Sequence, residues 1–227
     1  MAGWSAVRLG DPAGPRLVVF VHGGFWRARF DAAWIAELAH AWAQRGDCVW
    51  NLEYPRVGMP GGGWPGTAEA VGAAVEAALR AAAGRPVALV GHSAGGHLAA
   101  WAARDRPVAS VVSLAGVLDL RRAHAQRLGA SAVADLADER APAGAFFAAA
   151  SPIERLPLGS PALLVHGDAD ANVPIEQSRR YAEAARAAGD VCELVELSGA
   201  DHFAITDPSG PAWPALERWL GGLGADG

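Results

Sequence analysis

A serine flanked by glycines is the residue best suited to covalent chemistry in this sequence. Residues Gly91 to Gly95 read G-H-S-A-G, and G-x-S-x-G is typical of a serine on a tight turn between a strand and a helix, with its hydroxyl exposed. The apolar run 86–90 predicts a buried strand before the turn, and residues 96–103 predict a helix after it. Because the free amides and dipole of a helix N-terminus favour developing negative charge, Ser93 is predicted to be the nucleophile of an acyl transfer. A plain strand-to-helix turn is the alternative.

A serine hydroxyl is a weak nucleophile, so the chain must also supply a base and a carboxylate that orients the base. The sequence contains seven histidines. His202 lies in a loop after the last predicted strand, 191–197, and is predicted to be the base. The other six are interpreted as bracing loops (His22 and His92), packing on a helix (His97), lying in helical segments (His40 and His124) or ending a strand (His166).

Asp170 is predicted to be the carboxylate that orients the base. It begins an Asp-x-x-Val-Pro phrase whose valine and proline can anchor the loop and aim the carboxylate. Three other acids are alternatives. Asp168 is interpreted as bracing the turn, Asp119 as capping a helix, and Asp201 as too close to His202 along the chain to face it.

A second loop, H-G-G-F-W at residues 22–26, follows the predicted strand 17–21. Two glycines at the end of a buried parallel strand let the backbone approach a ligand and leave amides free to donate to an oxyanion. A plain strand-to-helix connection is again the alternative. Phe25 and Trp26 in this loop, and Trp64 in the Gly/Pro-rich loop 53–65, are predicted to line the substrate pocket, although core packing of Trp64 is an equal alternative.

The elements around these motifs alternate between the two regular structures. Strands are predicted at 7–9, 17–21, 48–52, 86–90, 108–114, 162–165 and 191–197, and helices at 32–45, 67–83, 96–103, 175–188 and 211–220. Such alternation without repeats or linkers predicts one α/β domain over residues 1–227, built on a doubly wound, mostly parallel sheet. Residues 117–160, with helical pieces at 120–127 and 130–140, are predicted to form a lid insertion over the site.

Composition excludes several classes of function. The formal net charge is −5, the basic residues are scattered, and all 19 of them are arginine. The absence of lysine rules out a Ser-Lys dyad, a Schiff-base lysine and a P-loop lysine. No nucleic-acid or membrane partner, metal or cofactor is expected, and a cytoplasmic location is expected because the N-terminus does not resemble a signal peptide. Cys48 and Cys192 lie in predicted strands on opposite sides of the sheet and are expected to be reduced.

The motifs G-H-S-A-G-G, H-G-D-A-D-A-N-V-P and G-A-D-H-F in this order, with H-G-G-F-W upstream, resemble the α/β-hydrolase superfamily over nearly the whole chain. The upstream loop is similar to that of serine esterases with an HGG-type oxyanion loop. Together with Ser151-Pro152-Ile153 it also resembles kynurenine formamidase-like hydrolases and prolyl-oligopeptidase-type catalytic domains. Two features depart from the pattern: Phe25 replaces a third glycine, and only 16 residues precede Leu17.

The resemblance implies Ser93, Asp170 and His202 as a catalytic triad, and an oxyanion hole made by the amides of Gly24 and Ala94 with Gly23. It also places the lid insertion after the sixth strand of the family. The predicted function is hydrolysis of small-molecule carboxylic esters with small or medium acyl groups. Aryl formamide hydrolysis is the alternative, and a non-catalytic ligand-binding module is the third. A peptidase is expected to carry a gating domain, and the sequence has no signal for an oligomeric state.

Overall fold

A single seven-stranded sheet forms the centre of the computed structural model, which describes residues 3–139 and 143–223. The strands are β1 (Ser5–Gly10), β2 (Leu17–Val21), β3 (Cys48–Glu53), β4 (Val87–His92), β5 (Ser110–Leu114), β6 (Ala162–Gly167) and β7 (Cys192–Leu197). Their order across the sheet is β1-β3-β2-β4-β5-β6-β7, and every neighbouring pair is parallel except β1 and β3. The predicted mostly parallel, doubly wound sheet is therefore confirmed.

Helices cover both faces of this sheet. They are α1 (Ala36–Ala43), α2 (Gly66–Ala82), α3 (Ala94–Ala103), α4 (Leu120–Ala125), α5 (Leu128–Ala137), α6 (Gly144–Ala150), α7 (Glu176–Ala187) and α8 (Trp213–Gly221). Short 3₁₀ helices span Ala32–Ile35, Pro152–Arg155 and Ala204–Thr206. Helices α1 and α8 pack on one face, and α2, α3 and α7 pack on the other.

The central strands are buried on both faces, which explains their continuous apolar sequences. In β2, Leu17, Val19 and Val21 face the core under α2 and α3, whereas Val18 and Phe20 face the core under α1 and α8. Because consecutive side chains of a strand point to opposite faces, both layers need apolar residues here. All five side chains are fully buried.

The segment between β5 and β6, predicted to be a lid, contains α4, α5, α6 and a 3₁₀ helix. Its apolar side chains, including Val133, Leu136 and Phe147, join the core that contains α2 and α3. The start of α5 differs from the predicted helix 130–140, because residues 129–131 adopt left-handed backbone angles. At Gly129 a Cβ atom would overlap the Phe25 ring, so glycine is required there. The predicted end at Arg140 lies outside the described residues.

The two cysteines are far apart in the sheet. Cys48 lies on β3 near one edge, and Cys192 lies on β7 at the other edge. Both are buried and unbonded, as the predicted strand positions require. Within residues 3–139 and 143–223, no helix combines the length and the apolar character needed to cross a bilayer.

Candidate active site

Ser93 occupies a sharp turn between β4 and α3. Its backbone angles, φ 56° and ψ −118°, lie outside the favoured regions for a residue with a side chain. The turn holds because its amide donates to the Leu114 carbonyl over 2.8 Å. A Cβ atom at Gly91 would overlap the Gly95 carbonyl oxygen, and one at Gly95 would overlap the Val21 carbonyl oxygen. Both glycines of the G-x-S-x-G motif are therefore required by close backbone packing.

His202 is held by Asp170 across two loops that follow β6 and β7. The His202 Nδ1–H donates to Asp170 Oδ2 over 2.7 Å. Asp170 Oδ1 accepts the amides of Asn172 and Val173, each over 2.8 Å. Burial alone would raise the pKa of Asp170, but hydrogen bonds from His166 and His202 and from the Val173 amide hold it well below its ordinary value. The carboxylate is therefore ionised and accepts from His202.

Ser93 and His202 line one cavity of about 150 Å³. Since Nδ1 of His202 is engaged by Asp170, Nε2 is the nitrogen left to accept a proton from the serine. Within the described residues the Ser93 hydroxyl forms no hydrogen bond to this ring, and such bonds are often long in unliganded enzymes. The structure thus brings the three predicted residues together, with Asp170 behind the histidine and Ser93 at the cavity wall.

The H-G-G-F-W loop presents its backbone to the same cavity. His22 Nδ1–H donates to the Gly23 carbonyl over 2.8 Å, and the Tyr54 hydroxyl donates to the His22 carbonyl over 2.7 Å. In a trans peptide the Gly23 carbonyl and the Gly24 N–H point in opposite directions. Because the Gly23 carbonyl faces the His22 ring, the Gly24 N–H points away from that ring. Neither the Gly24 amide nor the Ala94 amide donates to another group in the described part of the chain. Both are free to bind an oxyanion.

Two further histidines are buried and neutral, and each joins elements around the site. His92 donates from Nε2 to the His202 carbonyl over 2.9 Å, and burial lowers its pKa to about 3. His97 accepts from Trp26 Nε1 over 3.1 Å and donates to the Ala150 carbonyl over 2.9 Å. Burial lowers the pKa of His97 to about 4. These contacts agree with the interpretation that His92 braces a loop and that His97 packs in the interior.

Because the imidazoles of His92 and His97 are neutral and buried, we predict that acid destabilises the fold. An unfolded histidine has a pKa near 6.5, so between about pH 6.5 and pH 4 the unfolded chain binds more protons than the native chain. The free energy of unfolding should fall as the pH drops through this window, by up to about 1.4 kcal/mol per pH unit for each histidine. His97→Gln keeps a donor and an acceptor but cannot titrate, and should flatten this slope in urea unfolding.

His40→Gln, at an exposed ring on α1, is the matched control for this measurement and should retain the slope of the parent chain. An unchanged slope in His97→Gln would show that His97 is not kept neutral by burial.

The pocket walls differ from the prediction for two of three aromatic residues. Phe25 lines the cavity, as predicted. Trp26 is fully buried and donates to His97, so it does not reach the cavity. Trp64 packs against Trp101 and Phe146, with ring centroids 5.5 and 5.8 Å apart, and is also absent from the cavity wall. Core packing, the alternative for Trp64, describes its position.

The acids that competed with Asp170 serve local structure. Each accepts backbone amides near itself or at a neighbouring loop: Asp119 from Arg122, Asp168 from Gly199, and Asp201 from Phe203 and Ala204. Within the described chain, none of their carboxylates bonds to the His202 ring. Asp170 is therefore the acid that bonds to the predicted base, His202.

Several residues of the site were not predicted. His166 Nε2–H donates to the Val173 carbonyl over 2.9 Å and lies 3.3 Å from Asp170 Oδ2, so it supports the acid loop. The remaining cavity walls come from His92 and from Arg29, Phe30, Trp34, Asn172 and Phe203. Asn172 and Phe203 could have been predicted as wall residues because they lie beside Asp170 and His202 in the sequence. The wall residues between positions 29 and 34 have no distinctive sequence pattern.

Solved structures share this fold at low sequence identity. The propionate-bound esterase Est2 of the Planctomycetes species Thermogutta terrifontis is 23% identical and has a TM-score of 0.76, with 99% of this chain and 92% of that chain covered. Its paraoxon-phosphorylated form is 24% identical with a TM-score of 0.76, covering 97% and 90%. A truncated carbohydrate esterase from gut microbiota is 19% identical with a TM-score of 0.79, covering 92% and 86%. These likenesses show the α/β-hydrolase fold.

No curated protein sequence matches the chain significantly. The model of the prolyl oligopeptidase family matches residues 68–217. This match includes Ser93, Asp170 and His202 and covers well over half of the sequence. The chain therefore belongs to the prolyl oligopeptidase family.

Proposed function

We propose that this protein is a serine hydrolase of the HGG-type esterase branch that cleaves carboxylic esters with small or medium acyl groups. One observation carries the proposal: the Asp170–His202 hydrogen bond of 2.7 Å orients an imidazole at the same cavity as Ser93. A nucleophile, a base and a buried carboxylate in this arrangement are the components of acyl transfer.

The reaction begins when Ser93 Oγ attacks the ester carbonyl carbon and His202 Nε2 takes the serine proton. The amides of Gly24 and Ala94, with Gly23 beside them, stabilise the oxyanion, and Asp170 stabilises the imidazolium. The tetrahedral intermediate collapses, and the departing alkoxide takes the proton from His202 and leaves as the alcohol. Water then attacks the acyl-enzyme in the same way, and the carboxylic acid and free Ser93 are released.

The size of the cavity supports short acyl groups. A volume of about 150 Å³ matches that of a cavity that holds one benzene molecule. The Thermogutta terrifontis esterase has been solved with propionate and with butyrate bound, and both are short carboxylates. Because the walls include the rings of Phe25, Phe30, Trp34 and Phe203, an aryl formamide, whose acyl group is a single carbon, is the second candidate substrate.

Hydrolysis of p-nitrophenyl acetate, butyrate, hexanoate and decanoate, with N-formylkynurenine alongside, tests the proposal. We expect kcat/KM to be highest for the short esters and to fall by about tenfold or more at decanoate, because an acyl chain longer than the cavity can hold keeps the ester carbonyl away from Ser93. A flat series would contradict the proposed acyl preference. Faster turnover of the formyl amide than of every ester would move the protein to the formamidase class.

A further inference from the structure

The mouth of the cavity carries exposed aromatic rings. Trp34 and Phe203 are each 52% exposed, and their ring centroids lie 6.1 Å apart. Phe30 packs edge-on against Trp34 at 5.1 Å. Exposed aromatic rings beside a concave site commonly contact the apolar body of a ligand. The part of the substrate that projects from the cavity therefore meets an aromatic surface.

Arg29 lies at the same mouth. Its guanidinium carbon is 4.6 Å from the centroid of the Phe30 ring, which holds the side chain against the cavity wall. Within residues 3–139 and 143–223, neither a carboxylate nor a carbonyl oxygen pairs with this guanidinium. It is also the one permanently charged side chain among the cavity walls that the structure describes.

Three carboxylates on the loops that carry the cavity walls accept backbone amides. Asp31 accepts the Ala33 amide over 3.0 Å. Asp170 is buried and accepts from His202 and two amides. Asp201 accepts the amides of Phe203 and Ala204, and these bonds lower its pKa. The positive charge of Arg29 is therefore left available for a ligand, since planar guanidinium groups favour carboxylates.

We propose that Arg29 is a specificity-determining residue that binds a carboxylate on the substrate. The substrate class is an ester whose projecting part has an aromatic body, contacted by Trp34 and Phe203, and an anionic group at its far end. This inference rests on the proposed ester hydrolysis and names the substrate class of the same site. The contact is exposed and screened by salt, so its effect on kcat/KM is modest.

The test compares 4-acetoxybenzoate with the neutral 4-acetoxybenzamide, since both deliver the same acetyl group and neither contains a second ester. The measured quantity is the ratio of the two kcat/KM values. We expect Arg29→Gln to lower the preference for the anionic ester by about three- to fivefold. In the parent chain, 0.5 M salt should also lower this preference, because it shortens the screening length to about 4 Å.

Arg8→Gln is the matched control. Arg8 is also an exposed arginine over an aromatic ring, 4.7 Å from the Trp50 centroid, but it lies on edge strand β1 outside this cavity. The ratio should stay within about twofold in this variant. If Arg29→Gln lowers both rates equally, or leaves the ratio as it is, the inference is overturned while ester hydrolysis stands. If the parent chain hydrolyses neither ester, the proposed function fails and the inference fails with it.

Discussion

Replacing Ser93 with alanine should lower kcat for p-nitrophenyl butyrate by about 10⁵- to 10⁶-fold, because no acyl-enzyme can form without the hydroxyl. The fold should not change. Alanine keeps the Cβ atom that the strained turn already accommodates, and the amide of residue 93 still donates to Leu114. Residual hydrolysis would come from the oxyanion amides and substrate binding alone. Steady-state kinetics and thermal unfolding of the same preparation give both readouts.

Ser113→Ala is the control for this change. Ser113 is a buried serine on β5 whose hydroxyl has no hydrogen-bond partner within the described residues. Removing this hydroxyl should leave kcat within about threefold of the parent value, since no buried hydrogen bond is lost. A Ser93→Ala protein that keeps a tenth of the parent activity would show that another residue is the nucleophile.

Replacing Asp170 with asparagine should lower kcat by about 10⁴-fold. The Asn Oδ1 can still accept the amides of Asn172 and Val173, so the loop keeps its shape. The Asn Nδ2–H would face His202 Nδ1 and donate to it, which forces the hydrogen onto Nε2. An imidazole protonated at Nε2 cannot take the proton of Ser93, and the charge that stabilises the imidazolium is also lost.

Asp168→Asn distinguishes the two acids of this loop. Asp168 accepts the Gly199 amide, and an asparagine oxygen can replace that acceptor, so we expect kcat to fall less than about fivefold. A larger loss in Asp168→Asn than in Asp170→Asn would assign the orienting acid to Asp168. Circular dichroism of both variants separates a catalytic loss from unfolding.

The sheet and the Ser93, Asp170 and His202 positions were predictable because their signals are local. A buried parallel strand reads as a continuous apolar run, and each of the three residues follows such a run in a loop with its own motif. The carboxyl ends of parallel strands meet at one edge of a sheet, so the loops had to converge. Pairing of Asp170 with His202 follows from strands β6 and β7 being neighbours.

The pocket walls were less predictable because they depend on side-chain direction. Phe25 and Trp26 adjoin in sequence and both have left-handed backbone angles, with φ of 50° and 58°. In this conformation the Phe25 ring lines the cavity and the Trp26 ring lies in the core. The identities of the two residues alone do not predict this difference. Trp64 packs against Trp101 and Phe146, which are distant from it in the sequence. Tertiary packing decided both positions.

Covalent modification by paraoxon is the most direct test of the central claim that Ser93 is activated by His202 and Asp170. Intact-mass spectrometry should show one diethylphosphoryl group per chain, and peptide mapping should place it on Ser93. The Ser93→Ala protein should remain unmodified, and Asp170→Asn should react more slowly by about two orders of magnitude or more, because its base is misoriented. An unmodified parent chain with intact fold, or a phosphoryl group on any other residue, would contradict the account.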